Sequence, residues 1–219
     1  MTKSQVFEAT FRSDVSLYAL CALCVCASML THNWVQARTQ STLQTGDLVF
    51  QNTQGQIGQM VAAATDSQVT HVGVVVYRNG QPWVVEARRR VRWLSLRQFE
   101  AAGTPKSMRI MRLKHEMSTT QKRALERQLV HYAGRKYDSR FRWGDKRLYC
   151  SELVWMAFKK GPGIEIARLQ RKSQLYGKAK RTTRRRLKRY FGPKNLRLWE
   201  TIISPAQIYQ SSKLKEVDT

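Results

Sequence analysis

Residues 70–87 read THVGVVVYRNGQPWVVEA. Two apolar, β-branched runs, 70–77 and 82–87, flank Arg78-Asn79-Gly80-Gln81. Asn-Gly between such runs predicts a β-hairpin, because both central residues of a type I′ turn need positive φ. Symmetric pairing about the turn sets Tyr77 opposite Pro82, Gly73 opposite Glu86 and His71 opposite Arg88. Alternate side chains on a strand share a face. His71 and Glu86 thus become diagonal neighbours, about 7–8 Å apart at the backbone and within reach of long side chains. Gly73, opposite Glu86, leaves room there. Glu86 follows Trp83-Val84-Val85, an apolar setting where an unpaired carboxylate is costly or becomes neutral. A hydrogen bond to the imidazole satisfies both groups and fixes the tautomer, freeing the other ring nitrogen to act as a base. The competing reading is a half-exposed edge acid paired with Arg88 or Arg90. Spacing leaves both open, and a one-residue bulge would abolish the juxtaposition.

Working outward, residues 47–51 (DLVFQ) form a short strand after Gly46, and 38–46 are a polar linker. Residues 56–66 have helical spacing, with Ile57, Met60, Val61 and Ala64 on one side. Residues 91–94 and 107–113 read as strands, with a short helix over 95–102. Ser118 and Gln121 make a capping box for a helix over 118–133, stopped at Gly134. A loop with Tyr137, Asp138, Trp143 and Asp145 leads to a helix over 151–160, which buries Leu153, Val154, Ala157 and Phe158 and ends at Gly161-Pro162-Gly163. Ser204-Pro205 starts a last helix, running to about Ser211. The pattern is α+β.

Three of the four cysteines, Cys21, Cys24 and Cys26, lie in the apolar run 15-VSLYALCALCVCASML-30. That run is short for a spanning helix and suits the core of a secretory signal. Val35 and Ala37 allow cleavage after Ala37. Residues 1–37 are therefore expected to be a signal peptide, cleaved rather than retained as an anchor, and 38–219 the mature domain. The expected location is outside the inner membrane, in the periplasm or cell envelope. Cys150 then remains as a single thiol, a candidate reactive group.

The chain of 219 residues carries 39 Lys and Arg against 15 Asp and Glu, a net charge of +24. A hydrophobic content of 42% excludes a disordered polycation. Residues 1–37 are neutral overall, so the excess lies beyond them. Thirteen Lys and Arg fall in 166–199, with no acid. Arg184, Arg185, Arg186, Lys188 and Arg189 form the candidate anion-binding patch; a solvated helix face is the plainer reading.

Cys150 opens its helix, where free N–H groups and the dipole favour a thiolate and could bind an oxyanion. Glu152 in the first turn suits a capping or helix-dipole partner. His115 and His131 suit a surface and a helix end. No pair of the histidines has zinc-site spacing, no C-x-x-C occurs in 38–219, and no Walker or dinucleotide motif occurs. No metal or cofactor is expected.

Gly46-Asp47-Leu48-Val49-Phe50, Thr70-His71-Val72-Gly73-Val74-Val75, Val84-Val85-Glu86-Ala87 and Tyr149-Cys150-Ser151-Glu152-Leu153-Val154-Trp155 together resemble the NlpC/p60 superfamily of papain-like cysteine hydrolases. The cysteine helix comes last here, as in the circularly permuted YiiX/YebB/YaeF-like amidase group. Gly163-Ile164-Glu165-Ile166 and Ile203-Ser204-Pro205-Ala206 resemble that group too, so the likeness spans about 43–211. It implies a permuted papain-like fold, with a curved antiparallel sheet packed against the helix carrying the cysteine. It implies Cys150 as nucleophile, His71 as base and Glu86 as the orienting third residue, where non-permuted relatives usually carry a histidine. Tyr149 would line the pocket or the oxyanion site. The basic segment 166–199 departs from the family pattern.

The expected function is an exported amidase- or peptidase-like cysteine hydrolase, working through a thioester on a cell-envelope amide or ester. A lipid acyl hydrolase or acyltransferase of the same fold is one alternative. A non-catalytic binder of polyanions or nucleic acid is another. The expected partners are an envelope peptide or lipid substrate and, through the basic segment, an anionic membrane or wall polymer; nucleic acid is not expected, given the export signal. Trp83, Trp93, Trp143 and Trp155 are candidates to line an apolar groove.

Overall fold

Asn79 and Gly80 both have positive φ, 52° and 73°, the geometry that lets two strands reverse without splaying. They join β2 (His71–Arg78) to β3 (Gln81–Ala87) in a computed structural model that describes residues 43–144 and 146–217. The pairing is the symmetric one, Gly73 with Glu86 and Tyr77 with Pro82, without a bulge. β4 (Val91–Ser95) continues the meander and sets Arg92 opposite Glu86. On its other side β2 pairs with β1 (Leu48–Gln51), Gln51 facing His71. With β5 (Arg109–Leu113) and β8 (Leu214–Glu216) the sheet runs β4-β3-β2-β1-β5-β8, antiparallel throughout.

Both faces of the central strands are covered, which is why they read as nearly continuous apolar runs. Val72, Val74 and Val76 pack with the cysteine helix in one core. Val49, Val75 and Val84 pack with Phe99 in a second core on the other face. Phe99 belongs to α2 (Leu96–Ala101), which is capped by Ser95. α1 (Gln56–Thr65) follows β1. α3 (Thr119–Tyr132) starts at the Ser118–Gln121 capping box, and Gly134 follows it at φ 79°.

The helix expected over 151–160 is α4 (Cys150–Lys160). It was expected to bury one stripe. Every residue from Cys150 to Phe158 is buried instead, because the helix lies between the sheet and α3, with α7 (Pro205–Tyr209) also against it. Ser204 caps α7, and Pro205 is its first residue.

Of the expected linker 38–46, residues 43–46 fold onto the sheet. Leu43 is buried, and the Gly46 N–H donates to the Val75 carbonyl at 2.9 Å. Gly46 sits at φ 99°, and an added Cβ would lie 2.1 Å from Met117 Cε. The buried Asp47 carboxylate accepts from Arg112 Nε and Nη2, both at 2.7 Å, tying β1 to β5. Residues 38–42 and the expected leader lie outside the described residues.

The basic segment is folded. It holds α5 (Lys172–Lys178), α6 (Arg181–Phe191) and a 3₁₀ turn, between the paired strands β6 (Gln170–Arg171) and β7 (Thr201–Ile202). α6 packs against α1.

Candidate active site

His71 is the first residue of β2, and its Nε2 lies 2.5 Å from Glu86 Oε2. Glu86 has no exposed surface, so the reading as a half-exposed edge acid is overturned. Its other oxygen accepts from Arg92 Nε at 2.9 Å and Nη2 at 2.7 Å. Arg88 Nε stands 4.0 Å from the oxygen that faces His71. Arg92 is a partner the sequence reading missed; pairing β3 with β4 would have found it, since Arg92 faces Glu86. The room expected at Gly73 is filled. A Cβ there would lie 2.6 Å from Val84 Cγ1 and 3.3 Å from Phe99 Cε2, and the Phe99 ring stacks on His71 at 5.7 Å.

Cys150 is a free, buried thiol at the first position of α4. With Nε2 held by Glu86, Nδ1 is the ring nitrogen left for Cys150, which shares a hydrogen bond with His71. Burial alone would lower the His71 pKa. Attraction and hydrogen bonding to Cys150, then to Glu86, overcome that and push it up to about 9. Burial works against the Glu86 carboxylate as well, but His71 and Arg92 bring it down to about 2. At neutral pH the pair is an imidazolium facing a carboxylate.

The neighbours of Cys150 fix it from both sides. The Tyr149 hydroxyl accepts from Ile203 N at 3.3 Å, and Ser151 Oγ donates to Ile203 O at 2.9 Å. Glu152 caps the helix, as expected, by accepting from the N–H of Tyr149 at 3.4 Å and of Gly144 at 2.7 Å. Burial, against those N–H bonds, raises its pKa to about 9. It therefore caps as a neutral acid and adds no charge to the helix dipole. Half-buried Tyr137 also stands near Cys150, its phenol kept neutral by burial and then by the charges of Cys150 and Asp138. No motif marked it in the sequence.

A cavity of about 90 Å³ opens at Cys150, Tyr149 and Ser151. Its walls are apolar: Met60 and Ala64 from α1, Leu175 from α5, Leu187 and Phe191 from α6, and Leu198. The basic segment therefore builds part of the site and is not a separate surface. Leu187 and Phe191 are four apart, with Thr183 four before, so they share the inward side of α6. Arg185, Arg186, Lys188 and Arg189 are exposed and Arg184 is half-buried. Among the described residues none of these five has a salt-bridge partner.

The tryptophans do not line this cavity. Trp155 is buried and donates to the Ala167 carbonyl at 2.9 Å, with Trp143 edge-on at 5.4 Å. Trp93 lies under Arg78 at 4.4 Å, and Trp83 is largely exposed. His115 is exposed; His131, also exposed, bonds Arg135 at 2.8 Å.

Residues 42–217 match the model of the permuted papain-like amidase enzymes, YaeF/YiiX, C92 family. The chain belongs to this family. It is 32% identical over 174 residues to the uncharacterized protein YiiX of Escherichia coli K12, covering 80% of this chain and 85% of that one. A crystal structure of the metalloprotein YiiX from Escherichia coli O157:H7 superposes with a TM-score of 0.75 at 31% identity, covering 80% of this chain and 97% of that one. The permuted papain-like fold is thus the one observed, with the histidine strand ahead of the cysteine helix. Membership places the chain among papain-like amidases, a hydrolase class. Among the described residues of this chain, no group of three His, Cys, Asp or Glu side chains is placed to hold a metal ion.

Proposed function

We propose that this permuted papain-like amidase is an exported cysteine acyl hydrolase with Cys150 as nucleophile, His71 as acid and base, and Glu86 as the residue that orients His71. The observation that carries it is the Glu86–His71–Cys150 chain ending at an apolar cavity. The Cys150 sulfur attacks the carbonyl carbon of an amide or ester, forming a C–S bond and a tetrahedral oxyanion. Backbone N–H groups at the start of α4 stabilise that charge, with Tyr149 packed beside them. The C–N or C–O bond then breaks, and the leaving group takes the proton from His71. His71 next deprotonates a water, which attacks the thioester, releases the acid and restores the thiolate.

The apolar walls favour an aliphatic acyl group over a polar wall peptide. At about 90 Å³ the cavity is smaller than the roughly 150 Å³ that takes up benzene, so it suits a slender chain. The unpaired cations of α6 support contact with an anionic envelope surface, to which each basic residue contributes about 1 kcal/mol.

The test is mass spectrometry of the mature protein after incubation with envelope extract, with Cys150→Ala as control. The expected result is an acyl adduct on Cys150, whose mass gives the substrate class. Iodoacetamide labelling over a pH series is the companion measurement. Labelling only near the free-thiol pKa of about 8.5, unchanged by His71→Ala, would sink the activated pair. A Cys150→Ala chain with full biological activity would favour a binding protein. N-terminal sequencing of protein recovered from the envelope fraction tests export and cleavage after Ala37.

A further inference from the structure

A second, wider hollow of about 510 Å³ lies between α1 and α6. Gln59 and Met60 face it from α1; Arg186, Leu187, Arg189 and Tyr190 face it from α6. Met60 and Leu187 also line the narrow cavity at Cys150, so the two spaces share those walls. Arg186 and Arg189 are three apart on one helix, an arrangement in which like charges repel. Neither has a salt-bridge partner among the described residues. Two neighbouring guanidinium groups, each able to bind an oxyanion through paired N–H donors, suit a phosphate or carboxylate. The larger space thus carries the cations, and the smaller one, at Cys150, is apolar.

We infer that the α1–α6 groove seats the oxyanion head of a single-chain anionic amphiphile, whose apolar chain runs past Met60 and Leu187 towards Cys150. This rests on the acyl-hydrolase reading and specifies its substrate class. Full-length Cys150→Ala protein, titrated calorimetrically with dodecyl phosphate below its micelle concentration, provides the test. Dodecylphosphocholine supplies the same chain with a net-neutral head, and inorganic phosphate supplies the head alone. Dodecyl phosphate is expected to bind about tenfold or more tighter than either. Arg186→Gln/Arg189→Gln should erase that preference, whereas Arg181→Gln/Arg185→Gln, on the outward side of α6, should keep it. Circular dichroism confirms that both variants fold. Equal affinity for the two dodecyl ligands overturns the inference. So does phosphate binding as tightly as dodecyl phosphate, or an equal loss in the Arg181/Arg185 variant. Iodoacetamide labelling of Cys150 in the unmutated chain is read separately, so failure of the groove leaves the nucleophile's own test standing.

Discussion

The β2–β3 hairpin reaches Cys150 through His71, and the segment 166–199 walls the cavity on which Cys150 opens, yet the two are built on opposite terms. The hairpin supplies His71 and Glu86 from buried positions on its strands, where each of the two has a named partner. The basic segment supplies Leu175, Leu187 and Phe191 to the cavity at Cys150; its Lys172 and Arg197 pair with Glu200, while Arg185, Arg186, Lys188 and Arg189 of α6 stand exposed with no salt-bridge partner among the described residues. Ionisation in the hairpin is set by the protein itself: burial opposes the charged forms, and their partners restore them. On α6 the charges cost little where they are, since water solvates them, and they are free to meet an anion outside the molecule. One region is fitted to chemistry and the other to contact.

Breaking the hairpin's chemistry should have the largest effect. On the proposed mechanism His71→Ala removes the group that protonates the leaving atom, and turnover of an acyl substrate should fall about 10²- to 10⁴-fold. The same pair leaves a signature in stability against pH. The His71 contribution is complete below its ordinary 6.5 and is lost as pH rises through about 9. Glu152, raised from 4.5 to about 9, is lost in the same direction. Glu86 acts oppositely, complete above 4.5 and lost as pH falls through about 2. Cys150→Ala removes the largest influence holding the His71 pKa up, so its alkaline loss should begin at lower pH. Glu152 is present in both proteins, so the difference between their thermal melting curves cancels it and reports the His71–Cys150 pair. Superimposable curves would mean that Cys150 does not hold the His71 proton.

Asp47→Ala comes next and tests the scaffold beneath the hairpin. It leaves the Arg112 guanidinium without its two-bonded carboxylate between β1 and β5. Removing one partner of a buried pair costs about 3–5 kcal/mol, and Arg112 is partly exposed, so the low end is expected from urea unfolding. A cost under about 1 kcal/mol, the level of a surface pair, would show that β1 and β5 hold together without it.

These two regions also differ in how far the residues alone disclose them. The hairpin was legible because a period-2 pattern around Asn-Gly fixes the register, and the register fixes which residues meet; Gly73 opposite Glu86 follows directly. Arg92 was missed because its position depends on a second pairing, β3 with β4, whose turn holds three arginines and no strong turn signal. The cavity wall built by the basic segment was illegible for a different reason. In 166–199 the charges dominate the composition, while Leu187 and Phe191 mark the inward side of α6 with two residues. Glu152 reads as an ordinary first-turn acid, and only its burial shows that it keeps its proton.

Neutralising the outward side of α6 asks how separable the two regions are. Arg181→Gln/Arg185→Gln/Lys188→Gln removes three exposed cations, each contributing about 1 kcal/mol at an anionic surface. Binding to phosphatidylglycerol vesicles should fall about 100-fold at low salt, while turnover of a soluble acyl substrate stays unchanged. Undiminished vesicle binding would remove α6 from the contact.

The smallest change should act on the seam. Tyr149 and Ser151, on either side of Cys150, both bond Ile203. Ile203 lies just after β7, where the chain returns from the basic segment. Ser151→Ala deletes one of these bonds and leaves the Ile203 carbonyl short of a donor. The loss should cost about 1 kcal/mol in urea unfolding. If the seam only adds stability, turnover should not change beyond what unfolding explains. If it also sets where Cys150 stands against the α6 wall, KM for long acyl chains should rise while iodoacetamide labelling keeps its pH profile. That split would mean the α6 wall selects the chain and the hairpin alone prepares the nucleophile, with Ser151 coupling the two.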